Sequence, residues 1–125
     1  GVPHVVLFVD NVAAIDVQKL GEEIRYHQRF MPEGTNTNFV QIINPGRMKI
    51  RTYERGVEAE TFACGTGAVA AAVVGAVLDR LNPPVEATTQ GGAVLKIYFE
   101  IPNDKVKNVF LEGDAKVVFE GTLYD

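Results

Sequence analysis

Thiol chemistry is scarce in this chain: Cys64 is the one cysteine in 125 residues. A lone cysteine cannot close an internal disulfide, which suits a reducing compartment and makes the cytoplasm the expected location. A basic patch is missing too. Twelve Lys and Arg stand against 16 Asp and Glu, and the acidic residues are spread along the chain. That argues against binding to a phosphate backbone, so no nucleic-acid partner is expected. No secretory signal is visible. The longest charge-free stretch, Thr61 to Leu78, approaches spanning length, yet it is rich in alanine and carries Gly65, Thr66, Gly67 and Gly75. It reads as a buried core helix, and no membrane partner is expected. The chain opens on Gly1 rather than methionine, as a segment beginning mid-protein or a processed terminus would. Repeats, linkers and low-complexity tracts are absent. The length and the ordinary share of hydrophobic residues, 46%, suit one domain with one modest core.

Local patterns give an alternation of strands and two helices. Pro3 to Val9 is a short apolar run that predicts a buried strand. Asp16 caps a helix running to about His27, with Val17, Leu20 and Ile24 on one face. Pro32 to Asn38 has the composition of a loop. Phe39 to Asn44 and Met48 to Tyr53 flank the turn Asn44-Pro-Gly-Arg47 and predict a hairpin. Glu54 to Glu60 reads as an acidic connector. The main helix is expected from Gly65 to about Leu81, stopped by Asn82-Pro-Pro84. Being apolar all round, it should be covered on all sides. Strands follow at Val85–Thr89, Val94–Ile101, Val106–Leu111 and Lys116–Leu123. An α+β domain results, with a mainly antiparallel or mixed sheet curled around one central apolar helix and the first helix outside.

The chemistry centres on Thr61-Phe-Ala-Cys-Gly-Thr-Gly67. A cysteine at the mouth of a helix meets unpaired backbone N–H groups and a partial positive charge. That environment favours a thiolate and also holds a carboxylate. Taken alone, a free cysteine is more often a small buried hydrophobe. Gly65, Thr66 and Gly67 leave the backbone uncrowded, and Thr66 adds a hydroxyl. Residues 65–70 also match the dinucleotide fingerprint G-x-G-x-x-A, with Glu86 about where a ribose-binding acid belongs. That reading needs a strand leading straight into Gly65, whereas an acidic connector with Glu54, Glu58 and Glu60 precedes it. Glu54 and Arg55, at a strand end, are either an exposed ion pair of little worth or holders of an ammonium and a carboxylate. His4 is either structural or sets the protonation of a nearby thiol. Asn36 and Asn38 are loop formers or amide donors to a carboxylate. His27 reads as a surface residue.

Pro3-His4, Gly34-Thr-Asn-Thr-Asn-Phe39, Tyr53-Glu-Arg-Gly-Val57 and Glu60-Thr-Phe-Ala-Cys-Gly-Thr-Gly67 occur in that order, followed by Gly91-Gly92 and Val118-Phe-Glu-Gly121. Together they resemble the C-terminal half of the diaminopimelate epimerase family, over nearly the whole chain. The resemblance implies one lobe, residues 1–125, of a two-lobe isomerase of lysine and peptidoglycan-precursor biosynthesis. Such enzymes work without pyridoxal phosphate or another cofactor and without a metal. It implies that Cys64 is this lobe's acid/base, with His4 and Glu54 beside the thiols. Gly65 and Thr66 would offer N–H groups to the α-carboxylate, and Asn36, Glu54 and Arg55 would bind the substrate, diaminopimelate. The sequence departs from the pattern in two ways. It lacks the N-terminal block with its own cysteine before Gly-Asn, and Val2 stands where many members have asparagine. The isolated chain is therefore expected to be inactive unless a second lobe joins it in cis or in trans. A homodimer would offer two copies of Cys64 only with substrate on the two-fold axis. Residues 116–125 are a candidate for pairing with the missing lobe. The alternatives are an inert carboxylate-binding lobe or fragment, or a related racemase with another substrate.

Overall fold

The computed structural model describes residues 3–31, 34–61 and 65–113, and the backbone of residues 116–121. The strands are β1 (His4–Phe8), β2 (Asn36–Asn44), β3 (Arg47–Glu54), β4 (Ala59–Thr61), β5 (Val85–Thr88), β6 (Val94–Glu100), β7 (Lys107–Gly113) and β8 (Lys116–Gly121). The helices are α1 (Val17–Arg25) and α2 (Gly65–Val77). One mixed sheet runs β1-β2-β3-β5-β6-β7-β8. Parallel pairing joins β1 to β2 and β3 to β5, and the other neighbours are antiparallel. β4 pairs with the end of β3, Thr52–Glu54, while β5 pairs with its start, Arg47–Lys49. The two thus share one edge of β3. β8 joins this chain's own sheet through β7.

The sheet has two differently covered faces. Val40, Met48, Ile50, Val85, Leu95, Ile97, Val109 and Leu111 turn inward on Ala68, Val69, Ala71 and Ala72 of α2. β1, β2 and β6 all pack on α2, although β3 and β5 separate β2 from β6 in the sheet. The sheet therefore curls around this helix, as its alanine-rich surface permits. On the opposite face Val12, Val17, Phe39 and Tyr53 form a second cluster under α1.

Several expectations need correction. The buried stripe of α1 is Val17 and Gly21 with Ile24 packed beside them, and Leu20 is 37% exposed. The cause is Tyr53: a Cβ on Gly21 would lie 2.4 Å from the Tyr53 Cβ, so the helix meets the sheet at its glycine. Asp16 caps the helix as expected, accepting from the Lys19 amide. Asn36 and Asn38 are in β2, not in a loop, because parallel pairing with His4 and Val6 extends the strand backwards. The acidic connector, Glu54 to Glu60, begins on the last residue of β3 and ends inside β4. α2 stops at Val77, before the prolines. Asp79 takes a left-handed φ of 59°, and the Arg80 amide returns to the Gly75 carbonyl in a Schellman-type closure. Leu81 then folds back over Gly75. Nor is α2 covered all round: Val74 and Val77 are 37% and 65% exposed, and Leu78, just past its end, is 54% exposed.

Candidate functional site

Strand alternation decides which side chains share the helix-facing side. In β2, Val40 lies in the inner core and Phe39 in the outer cluster, so Asn36 and Asn38 lie on the inner side. In β3, Ile50 is inward and Tyr53 outward, which places Thr52 and Glu54 inward. In β1, Val6 and Phe8 pack on the inner core, and His4 shares their side. Register then brings His4 opposite Asn36 and Asn38 opposite Thr52. One end of the sheet thus gathers His4, Asn36, Asn38, Thr52 and Glu54 on the side that α2 occupies. Thr61 of β4, opposite Thr52, is three residues from Cys64, and α2 begins at Gly65.

The polar groups at this end are held by specific bonds. The Arg55 amide donates to Asn36 Oδ1 at 2.7 Å, tying the start of β2 to the turn after β3. Because a backbone N–H can only donate, the Asn36 amide is fixed with its NH₂ as the remaining donor. Thr52 Oγ1 donates to Asn38 Oδ1 at 2.9 Å, and Asn38 Nδ2 donates to the Val5 carbonyl at 3.2 Å. The same Nδ2 lies 3.3 Å from His4 Nδ1. Asn38 is fully buried and Asn36 nearly so. Burial lowers the pKa of His4 below its ordinary 6.5, partly offset by the negative charge of Glu54.

Glu54 and Arg55 belong to a turn organised by Glu58. The Glu58 amide closes on the Glu54 carbonyl at 2.9 Å, with Gly56 at φ +91° and Glu58 itself at φ +57°. The Glu58 carboxylate accepts from the Gly56 amide and from Arg25 Nε, both at 2.9 Å, and from the Tyr53 hydroxyl at 3.1 Å. Its pKa falls to about 2, chiefly through the Gly56 amide. The Tyr53 hydroxyl is pushed up to about 12, chiefly by burial and then by Glu58, so it stays a donor. Arg51 makes a fork on Glu60, with both N···O distances 2.7 Å, and fastens β4 to β3.

His4, Asn36, Glu54, Arg55, Gly65 and Thr66 were all singled out by sequence. The first four converge at this end of the sheet, and Gly65 and Thr66 open α2. Cys64 and Val2 lie outside the described residues. Thr52 went unnoticed because nothing in its sequence neighbourhood marks it; the cross-strand register makes it a partner of Asn38. Glu58 was visible only as one more acid of the connector. Among the described residues no group of three or more His, Cys, Asp and Glu could hold a metal. No helix among them is long and apolar enough to cross a membrane. The dinucleotide reading of residues 65–70 fails on strand direction. β4 runs antiparallel to β3 and β5 parallel to it, so the strands flanking α2 do not form a parallel βαβ unit.

The family model described as diaminopimelate epimerase matches residues 1–118. The chain belongs to the diaminopimelate epimerase family. Diaminopimelate epimerase of Aquifex aeolicus is 49% identical over 98% of this chain and 43% of its own length. That of Hydrogenobaculum is 50% identical over 98% of this chain and 44% of its own length. The chain thus spans less than half the length of these curated relatives. A solved structure, the phenazine biosynthesis protein of the PhzF family from Bacillus anthracis, superposes with a TM-score of 0.55. It covers 85% of this chain and 33% of its own at 18% identity, a likeness of fold.

Proposed function

We propose that this chain is one lobe, residues 1–125, of a cofactor-independent epimerase that interconverts LL- and meso-diaminopimelate. The observation that carries the reading is the gathering of His4, Asn36, Glu54 and Arg55 at the end of the sheet where β4 leads into α2. Family membership supports the same reading. Cys64 sits just before the first residue of α2, where the helix dipole favours a thiolate. The thiolate takes the α-proton, and the electron pair stays on the α-carbon, delocalised into the carboxylate. Gly65 and Thr66 amides stabilise that carboxylate as charge develops. A thiol on the opposite face, from a second lobe, returns a proton and inverts the centre. His4 and Glu54 serve the two thiols and manage their protons. Asn36, through its NH₂, and Arg55 hold the polar ends of the substrate. The outer edge of β8 pairs with the second lobe.

The test is α-proton exchange of LL-diaminopimelate with solvent deuterium, followed by mass spectrometry. The full-length natural protein should exchange, and its Cys64→Ala variant should lose exchange by at least about a hundredfold. Exchange that survives the loss of Cys64 would end the proposal. The 125-residue chain by itself should not exchange.

A further inference from the structure

We infer that Asn38 and Thr52 form a tautomer lock on His4, holding its imidazole with the proton on Nε2 and an acceptor lone pair on Nδ1. The amide orientation of Asn38 is dictated by its partners. The Val5 carbonyl can only accept, so the atom of Asn38 facing it at 3.2 Å is the NH₂ nitrogen. That nitrogen has a second hydrogen, and His4 Nδ1 lies 3.3 Å away. A donor facing Nδ1 requires Nδ1 to accept. The Asn38 oxygen is left toward Thr52 Oγ1 at 2.9 Å, which donates to it. Asn38 is 0% and Thr52 4% exposed, so water does not compete for these bonds. Every polar atom of the Asn38 side chain is then used, and the alternative amide orientation would set oxygen against carbonyl oxygen. Buried and fully bonded, such a chain keeps one arrangement.

The consequence for chemistry rests on the proposed epimerase reading. With Nδ1 committed to Asn38, Nε2 is the nitrogen of His4 left to donate, on the side of the sheet shared with Glu54 and α2. Asn38 and Thr52 are thus positioning residues: they act through His4 and deliver a fixed donor to the site.

Two measurements separate the lock from the reading. Long-range ¹H–¹⁵N spectra of the ¹⁵N-histidine-labelled chain report which imidazole nitrogen is protonated, and His27→Gln removes the other ring's signals. At a pH where His4 is neutral, a pyrrole-type Nε2 and a pyridine-type Nδ1 are expected. A protonated Nδ1, or averaging of the two, would overturn the lock whatever the enzyme does. Asn38→Asp replaces the donor with an acceptor and should move the proton to Nδ1. In the full-length protein that variant should lower kcat for α-proton exchange by about tenfold or more with little change in KM. An unchanged kcat alongside a moved proton would overturn the positioning role. Absence of exchange in the unsubstituted full-length protein would instead overturn the epimerase reading and leave the spectrum to judge the lock.

Discussion

Replacing Glu58 by glutamine preserves the shape of the side chain and removes its charge. In the native turn the carboxylate collects the Gly56 amide, Arg25 Nε and the Tyr53 hydroxyl. The Gly56 amide is the largest of the causes that bring its pKa to about 2 from an ordinary 4.5; Arg25, Tyr26 and Tyr53 add to it, and burial opposes them. At roughly 1.4 kcal/mol per unit, that depression sets a ceiling of about 3 kcal/mol on the charge's contribution. The side chain is 33% exposed, so solvent screening takes a share, and about 1–2 kcal/mol is expected. Because the folded pKa is depressed, the stabilisation is complete above 4.5 and is lost as pH falls toward 2. Urea denaturation of the chain and of Glu58→Gln at pH 7 and pH 3 tests this. The variant should be weaker by about 1–2 kcal/mol at pH 7 and by less than half as much at pH 3. A deficit of the same size at both values would refute the electrostatic account, as would equal stability at pH 7.

Other substitutions have equally definite outcomes. Gly21→Ala drives a methyl to 2.4 Å from the Tyr53 Cβ and Cγ, and it should cost about 1–3 kcal/mol in thermal or urea unfolding. Arg51→Lys keeps a positive charge near Glu60 but loses the fork and the contacts to the Val12 and Ile15 carbonyls. It should cost about 1–3 kcal/mol and speed hydrogen exchange in Ala59–Thr61. His4 should titrate below 6.5 by NMR. Since its folded pKa is depressed, its contribution to stability is present above 6.5 and falls away as the unfolded chain takes up the proton first. Glu54→Gln should lower the His4 pKa further, because it removes the charge that favours the imidazolium.

Much of the fold was legible from pattern. Leu95, Ile97 and Phe99 alternate with Lys96 and Tyr98 and are buried as alternation requires. The Asn44–Arg47 turn and the Asp16 cap are local devices, so a local reading finds them. Long-range contacts were illegible. Asn36 and Asn38 look like loop residues until β1 pairs with them in parallel, a contact more than thirty positions distant in sequence. Leu20 has the right spacing to be buried, but the sheet presents Tyr53, and only a glycine can sit against it. The exposed end of α2 has the same origin: composition marks a helix for burial without saying how far the sheet reaches along it. At the site, motif residues were found by kind, while Thr52 and Glu58 emerged only from register and turn geometry.

The division of β3's outer edge between β4 and β5 has a mechanical result. Lifting β4 away breaks the three pairings Thr52–Thr61, Tyr53–Glu60 and Glu54–Ala59, while the β2-β3-β5 hydrogen bonding continues behind it. β4 is therefore hung on the edge of β3 like a hinged shutter, latched by Arg51 to Glu60. Opening it is a sub-global event, set by that latch, the three rungs and the packing of β4 on α1 rather than by the free energy of the whole domain.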